Sequence, residues 1–340
     1  MPGPDDRDDT VWKQGDAPLV DVGIPTRPET RYLSEAVDSV VAQTSPGWRL
    51  HVSINGESGG RAAEIMRGYE ADPRVSYSIT GAALTAGANY TRLIRHGRAP
   101  FVALLHDDDR WQPGYLERRC RFLSEHPRCG FVFSDATVIR GDGTPVGRTR
   151  LGLAQGVHEP EQLLPLIYER NLVSVASVVV RRTAYEAAGA GYREDLLFND
   201  HEMWIRLASR FPGGYVALDD SEYRIHANAT SAERRLRLAE SSLHLLDAVD
   251  TEVRVPEALR RRVRARANIR CALDAVERSE PSQSLRHLVT AARLDLRACA
   301  APAELARIAV AVLGMALGRR GRALVARMRV RRWALGGAER

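Results

Sequence analysis

The chain has 340 residues, of which 44% are hydrophobic and 27% are charged. Both fractions are ordinary for a soluble globular protein, and they exclude a chain that is disordered throughout. A chain of this length accommodates one large α/β domain with a smaller appendage. Only residues 1–17, which include the run PGPDDRDD, are predicted to form a disordered tail.

The net charge of +6 is distributed unevenly along the chain. Nearly all of the positive charge comes from arginine, because Lys13 is the single lysine, so an individual arginine is weak evidence of phosphate binding. From Ala232 onward there are 23 arginines against 12 acidic residues, and the preceding part is net negative. We therefore expect a polyanionic partner or a membrane surface at the C-terminal region, and no nucleic-acid partner.

Cysteine spacing and hydropathy indicate the cellular compartment. The four cysteines show neither a CxxC pair nor zinc-like spacing, which predicts buried or incidental thiols in a reducing compartment. The N-terminus has no apolar signal sequence, and the run Ile308–Leu317 is shorter than the ~20 residues of a membrane span. We expect a cytoplasmic protein, with possible peripheral contact at the inner face of the membrane.

The first half of the sequence alternates strands with helices. Short apolar runs predict buried strands, and apolar residues at helical spacing predict the helices between them. The predicted strands are Leu19–Pro25, Leu50–Ile54, Val75–Ile79 and Phe101–Leu105. The predicted helices lie around Leu33–Val41, Ala62–Tyr69 and Asn89–His96. This alternation predicts right-handed βαβ units and a largely parallel sheet.

The pattern changes after Gly130. Strands are predicted at Phe131–Ser134, Thr137–Arg140 and Val175–Val180. A mixed second half of this kind is typical of a sheet whose far side serves a second substrate. From Ser231 the sequence is predicted to be helical, with breaks at Pro256, Pro281 and Pro302.

Three consecutive carboxylates, Asp107, Asp108 and Asp109, follow the apolar strand FVALL. An open α/β sheet binds its ligands at the carboxyl edge of its strands. Adjacent anions repel each other there unless a cation neutralises them, and a few oxygen ligands suit Mg²⁺ or Mn²⁺. The alternative, which the three residues alone leave open, is a solvated acidic turn before the helix that follows Pro113.

Further segments occur in a recognisable order around these aspartates. They are VGIPTRPETRYLSEAVDSVVAQT, Val52–Ser58 (VSINGES), Gly87-Ala88-Asn89, HDDDRW, Asn199–Trp204 (NDHEMW), and Arg224-Ile225-His226 with Asn228 and Ser231 following. In this order, from about Leu19 to Ser231, they resemble the family 2 glycosyltransferases. The resemblance implies a GT-A fold: a Rossmann-like mixed α/β sheet flanked by helices over residues 18–231. Residues 232–340 would then form an all-helical extension.

The resemblance also implies the site residues. Asp200 would be the catalytic base. The donor would contact Pro25, Thr26, Arg27, Glu29, Asn55, Gly87, Asn89, Asp107, Asp108 and Arg224. The divalent metal, Mg²⁺ or Mn²⁺, would be bound by Asp108, Asp109 and His226. The implied reaction transfers a sugar from a nucleotide diphosphate sugar, with UDP or dTDP as the expected nucleotide, to an unidentified acceptor hydroxyl with inversion.

Three positions depart from the family pattern. Ile54 replaces the first aspartate of the nucleobase motif, so base recognition falls to Ser53, Asn55 or the backbone. His106 stands where the metal motif often has its first aspartate. Asn199 replaces the glutamate before the expected base, Asp200.

Several interpretations remain open at this level. Asp200 is either the base or a helix-start carboxylate behind an Asn199 cap, with Glu202 as the substitute base. His226 contacts the metal or is an ordinary histidine, and Arg181 and Arg182 face phosphates or a solvated strand end.

Other functions also remain open, since a sugar nucleotidyltransferase and a catalytically weak sugar-nucleotide-binding partner are alternative classes. A nucleotidyltransferase normally has a basic, glycine-rich nucleotide loop near its N-terminus. The segment Gly56–Gly60 contains neither lysine nor arginine, which disfavours this class. The basic end, with seven arginines from Arg319 to Arg332, is either a membrane-surface helix or a solvated face.

Overall fold

The computed structural model describes residues 19–189, 191–226 and 238–317. The predicted tail 1–17, the motif residues Asn228 and Ser231, and the basic end after Gly318 lie outside these ranges. Twelve strands, β1 to β12, are present in the described part. They are Val20–Thr26, Trp48–Ile54, Val75–Ile79, Phe101–Leu104, Arg110–Trp111, Phe131–Ser134, Thr137–Arg140, Pro145–Arg148, Gly156–His158, Val178–Arg181, Gly213–Val216 and Ser221–Ile225.

The described residues also form twelve α-helices, α1 to α12. They are Leu33–Val41, Gly60–Arg67, Ala86–His96, Tyr115–Glu125, Pro160–Glu169, Arg182–Ala187, Asn199–Ala208, Leu238–Glu252, Glu257–Glu277, Pro281–Leu294, Leu296–Cys299 and Pro302–Ala316. The predicted breaks are confirmed: Pro256 precedes α9, and Pro281 and Pro302 open α10 and α12. Proline suits these positions because the first turn of a helix does not use its N–H.

The main sheet has eight strands in the order β3-β2-β1-β4-β10-β6-β11-β9. Strands β3, β2, β1 and β4 are parallel, as the βαβ pattern predicted, whereas β10 is antiparallel to both β4 and β6. Side chains alternate between the two faces. Val102 and Leu104 therefore join the core on one face, and Phe101 and Ala103 join the core on the other.

A smaller sheet, in the order β5-β12-β7-β8, carries the rest of the site. Strand β5 follows the aspartates directly, and β12 ends at Ile225, next to His226. The pairing of Glu222 in β12 with Arg110 in β5 therefore brings Arg224 and His226 beside residues 106–109.

The predicted strand Val175–Val180 is partly wrong. Val175–Ser177 forms a single 3₁₀ turn, and β10 begins only at Val178. The Ser177 hydroxyl and backbone N–H both donate to the Ser174 carbonyl. Such a local bond from a serine competes with strand pairing.

The C-terminal helices begin as part of the main core. Leu246 of α8 and Leu259 and Val263 of α9 share one buried cluster with Met203 and Trp204 of α7. The later helices pack around separate small clusters that include Ile269 and Ala291, or Ala272 and Ala311. The sequence-based boundary at residue 231 therefore divides a continuous core. None of the helices in the described ranges is both long and apolar enough to cross a membrane.

All four cysteines carry free, buried thiols, as the sequence predicted.

Candidate functional site

The loop 106–109 lies at the carboxyl edge of the main sheet, where β4 ends beside β1. The Leu105 N–H donates to the Gly23 carbonyl, which continues the β1–β4 pairing to the loop. The Asp109 N–H then donates to the His106 carbonyl and closes a turn. This turn points three successive carboxylates in different directions, and each has its own partners.

Asp107 is bonded to the loop after β1. Its Oδ2 accepts from the Thr26 hydroxyl at 2.5 Å and from the Thr30 hydroxyl at 2.9 Å. Burial and the charge of Asp108 raise the pKa of Asp107, and the two threonine bonds oppose the increase. Asp107 therefore connects the β1 loop to the aspartate loop.

Asp108 is paired with His226. The His226 Nε2 lies 2.9 Å from Asp108 Oδ2, a hydrogen-bond distance. Burial alone would raise the pKa of Asp108, but the His226 bond and the nearby His106 outweigh burial and lower it. Asp108 therefore stays ionised.

Asp109 is 1% exposed and only half satisfied. Its Oδ1 accepts from the Arg224 N–H at 2.8 Å, but its Oδ2 has no hydrogen-bond partner among the described residues. Burial and the charge of Asp108 raise the pKa of Asp109 to about 6. A buried carboxylate oxygen without a partner is costly, and a cation removes that cost.

Three side chains of the cluster, those of His106, Asp108 and Asp109, each offer one potential ligand atom to a metal. These three atoms lie within 4.8 Å of one another. His106 Nδ1 lies 3.6 Å from Asp109 Oδ2, within ion-pair range but too far for a hydrogen bond. Burial opposes the charged imidazolium, but Tyr90, Asp109 and Asp108 together raise the pKa of His106 well above its ordinary value. The cluster therefore attracts positive charge, and its donor set fits a divalent cation.

Arg224 is completely buried beneath this cluster. Its Nε donates to the Asp108 carbonyl at 2.7 Å, and its Nη2 donates to Glu35 at 2.6 Å. The guanidinium lies over the Tyr32 ring, 4.4 Å from the ring centroid. The sequence assigned Arg224 to the donor diphosphate, whereas the structure directs its guanidinium into the protein, where it holds the aspartate loop.

The other expected donor residues line neighbouring loops. The Asn55 side chain bonds the Leu84 N–H and carbonyl, and Ser53 donates to Asn89 at 2.6 Å. Gly87 lies against the Arg193 backbone, because a Cβ there would lie 2.5 Å from that carbonyl oxygen. Among the β1-loop residues, Arg27 and Glu29 are exposed, Pro25 is half-buried and Thr26 is buried.

Asp200 lies in the first turn of α7, as expected, and is half-buried. Its Oδ2 accepts from the Asn171 side-chain amide at 3.0 Å. The expected Asn199 cap is wrong, because Phe198 occupies the cap position and no side chain caps the helix. The substitute base, Glu202, is buried in an ion pair with Arg206.

The family model "Glycosyl transferase family 2" matches residues 21–193. The chain belongs to this family. The match begins in β1 and includes the loop 106–109.

Two curated relatives match more narrowly. TuaG of Bacillus subtilis (strain 168), a glycosyltransferase ascribed to teichuronic acid biosynthesis, is 28% identical over 155 residues, or 45% of this chain and 56% of TuaG. The uncharacterized glycosyltransferase MJ1057 of Methanocaldococcus jannaschii is 23% identical over 194 residues, or 56% of this chain and 65% of that protein. The chain therefore spans less than two thirds of either relative.

Solved structures show the fold. Residues 1–349 of TarS from S. aureus, crystallised with UDP-GlcNAc, superpose with a TM-score of 0.64 at 13% identity, covering 93% of this chain and 92% of that one. The mannosyltransferase PcManGT from Pyrobaculum calidifontis, in complex with GDP-Man and Mn²⁺, gives 0.55 at 17% identity, covering 91% and 84%. This family 2 chain therefore has the expected GT-A fold with a C-terminal helical region.

Arg181 and Arg182 do not belong to the site. Arg181 donates to the Leu123 and Cys129 carbonyls, and Arg182 donates to the Ala99 carbonyl and to Asp21. Asp21 lies near the start of β1, at the sheet edge opposite Thr26. Neither the phosphate-facing nor the solvated interpretation is correct, since these arginines support the structure.

Several supporting residues were not predicted from the sequence, namely Thr30, Tyr32, Glu35, Tyr90 and Asn171. Thr30, Tyr32 and Glu35 lie within the quoted first motif, but their partners, Asp107 and Arg224, are at least 77 residues away. Asn171 lies in an irregular segment outside every motif. Sequence periodicity contains no signal for pairings of this length.

Proposed function

We propose that this family 2 chain is a metal-dependent glycosyltransferase that moves a sugar from a nucleotide diphosphate sugar to an acceptor hydroxyl with inversion. The proposal rests on the buried Asp109 oxygen that accepts no hydrogen bond among the described residues, beside Asp108 and His106. It lies at the carboxyl edge of β1 and β4, where open α/β sheets bind ligands. A cation bound by this acidic cluster would take diphosphate oxygens as further ligands, which supports a nucleotide diphosphate as the ligand of the site.

In this proposal Asp108 and Asp109 bind the divalent cation, Mg²⁺ or Mn²⁺. When bound, the cation supplies positive charge that neutralises the diphosphate leaving group. The position is fixed before substrate binds, because the Arg224 guanidinium donates to the Asp108 carbonyl and the Arg224 N–H donates to the Asp109 carboxylate. His226 orients Asp108 through the 2.9 Å bond.

The donor is proposed to lie over the loop after β1 and the loops that contain Asn55 and Asn89. Asp107 holds the first of these loops through Thr26 and Thr30. The side chain of Asn55 is bonded to the Leu84 backbone, and that of Asn89 accepts from Ser53. Nucleobase recognition is therefore proposed to use backbone groups, in keeping with Ile54 at the usual aspartate position. The solved relatives named above bind UDP-GlcNAc and GDP-Man, and for this chain UDP- or dTDP-sugars remain the proposed donors.

Asp200 is proposed to accept the proton of the acceptor hydroxyl as its oxygen attacks the anomeric carbon. The Asn171 amide donates to Oδ2 and so orients the carboxylate. A single displacement of this kind forms no covalent enzyme intermediate and inverts the anomeric centre. The competing role is that of a helix-start carboxylate, which would affect stability and not the rate.

Peripheral membrane contact is the proposal for the C-terminal region. Helices α10 to α12 expose large apolar side chains, including Leu285, Leu296, Leu305 and Leu313. Arginines are attracted to anionic lipid, and exposed leucines add apolar contact. Pelleting of the full chain with anionic vesicles, and release by salt, would support this contact, whereas equal binding to neutral vesicles would contradict it.

The transferase proposal is tested by incubating the full chain with Mn²⁺ and a panel of UDP-, dTDP- and GDP-sugars. Release of nucleoside diphosphate is the measurement, with chelator-treated protein as the control. We expect release from one donor class, dependent on added metal. Binding of a donor without any release, with acceptors from several hydroxyl classes present, would instead favour the sugar-nucleotide-binding alternative.

A further inference from the structure

His106 occupies the position where the family pattern often has an aspartate, and both of its ring nitrogens are placed. Its Nε2 lies 2.8 Å from the Tyr90 hydroxyl, and the two rings are nearly parallel, with an interplanar angle of 26°. Its Nδ1 faces Asp109 Oδ2 at 3.6 Å. Tyr90 therefore fixes the ring so that Nδ1 is directed at the acidic cluster.

The contact between His106 and Asp109 is not a hydrogen bond. A separation of 3.6 Å is too long for an N–H to O bond. Two atoms that each lie roughly 2.1 Å from one shared cation are separated by about 3–4 Å. The spacing therefore suits two ligands of one ion, and the buried Asp109 oxygen without a partner has the same requirement.

His226, the histidine that the sequence favoured as a ligand, is placed differently. Its Nε2 lies 2.9 Å from Asp108 Oδ2, so it is close enough to donate a hydrogen bond directly. A ring nitrogen that donates its proton to a carboxylate has no lone pair for a metal. His226 therefore orients Asp108, and the ring nitrogen left to bind a metal is His106 Nδ1.

We infer that His106 Nδ1 is a metal ligand together with Asp108 and Asp109, and that Tyr90 orients it. This inference rests on the proposed metal dependence and adds a selectivity to it. Imidazole suits first-row transition ions, whereas Mg²⁺ is bound almost entirely through oxygen. The site therefore binds Mn²⁺ more tightly than Mg²⁺, and the replacement of an aspartate by His106 is the cause.

The test measures metal binding to the full chain by electron paramagnetic resonance, with Mn²⁺ alone and with Mn²⁺ plus UDP. A ligand nitrogen modulates the electron spin echo of bound Mn²⁺, so His106 gives a direct ¹⁴N signature. The variants are His106→Gln, Tyr90→Phe and His106→Asp, with His226→Gln as the matched control at the other histidine. Melting temperatures in chelator confirm that each variant is folded.

We expect the ¹⁴N signature in the wild type and in His226→Gln, and its loss in His106→Gln. Tyr90→Phe is expected to weaken Mn²⁺ binding by about 10-fold, because loss of a group that orients a ligand typically costs 10–100-fold in metal affinity. His106→Asp is expected to lower the Mn²⁺-to-Mg²⁺ affinity ratio by about tenfold or more, since it restores an all-oxygen set.

Bound Mn²⁺ without a ¹⁴N signature, or a signature that His226→Gln abolishes and His106→Gln retains, would overturn the assignment of His106. Neither result would affect the proposed metal dependence. Failure of the wild type to bind Mn²⁺ or Mg²⁺, even with UDP, would overturn that dependence itself and this inference with it.

Discussion

A buried aspartate lies at each edge of the main sheet, Asp21 near the start of β1 and Asp109 in the loop after β4, and their surroundings differ. At the amino end, Asp21 accepts from the Ala99 N–H and the Arg182 guanidinium, both at 2.7 Å, and also pairs with Arg49. At the carboxyl edge, Asp109 has one bonded oxygen and one without a partner. A buried carboxylate surrounded by arginine serves stability, whereas a buried carboxylate left partly unpaired at a sheet edge is prepared for a ligand.

The largest expected effect is the loss of metal-dependent activity on substitution of Asp108. Asp108→Ala should abolish metal-dependent donor binding and transfer, because the remaining carboxylates cannot reproduce the lost ligand. Asp107→Ala should lose less, since Asp107 acts through Thr26 and Thr30. Donor binding with titrated Mn²⁺ measures both. Near-normal Mn²⁺-dependent turnover of Asp108→Ala would show that the acidic loop is not the metal site.

Asp200→Asn should lower the transfer rate by about 10²–10⁴-fold while donor affinity changes little, because the donor is held elsewhere. The substitution keeps an oxygen that accepts from Asn171. If Asp200 were only a helix-start carboxylate, stability would instead fall by at most about 1 kcal/mol and the rate would survive. Turnover and melting temperature on the same protein decide between these roles.

Asp21→Asn should act on stability and not on chemistry. It leaves Arg182 and its nearly buried guanidinium without an anionic partner, which should lower the free energy of unfolding by about 3 kcal/mol. The matched variant Asp109→Asn should lose metal binding with little loss of stability in chelator, because it removes the repulsion from Asp108. Urea unfolding of both variants checks the contrast, and equal destabilisation would remove it.

The smallest expected effect is a pH dependence of stability that arises from His51 in β2. His51 stacks on His96 with ring centroids 3.6 Å apart, and burial, followed by His96 and nearby arginines, lowers the pKa of His51 to about 3. Between about pH 6.5 and pH 3 the unfolded chain binds more protons at His51 than the folded chain. Its contribution to stability is therefore complete above pH 6.5 and is lost as the pH falls.

The loss from His51 cannot exceed about 1.4 kcal/mol per pH unit. Urea midpoints from pH 7 to pH 5 should fall in the wild type, and the fall should be shallower in His51→Gln, which does not titrate. A pH profile that is unchanged by His51→Gln would show that the stacked pair makes no such contribution.

The sequence predicted the strands better than the contacts. Val75–Ile79, Phe131–Ser134 and Thr137–Arg140 match β3, β6 and β7 residue for residue, because turn residues or charged residues bound each run. Helix α5, Pro160–Glu169, was missed although Glu159 and Gln162 form a capping box, since Pro165 inside the helix obscures the pattern.

At the site, the sequence indicated the acidic loop and the helix that carries Asp200, since both are local signals. It could not assign partners, because the Arg224 N–H reaches Asp109 across 115 residues. For the same reason Arg224 and His226 were given direct ligand roles, whereas the structure shows one directed into the protein and the other bonded to Asp108. Roles of this kind depend on tertiary geometry alone.

The shared core of α7, α8 and α9 determines how this chain can be recombined with its relatives. A chimera joined near residue 231 would separate Trp204 and Met203 from Leu246 and Val263, and would expose an apolar surface on the helix that carries Asp200. A junction in the turn between α9 and α10 keeps that core with one parent, but it separates Ile269 and Ala272 of α9 from Ala291 and Ala311 in the later helices. Recombination should therefore treat the described helices through Ala316 as one module with the sheet.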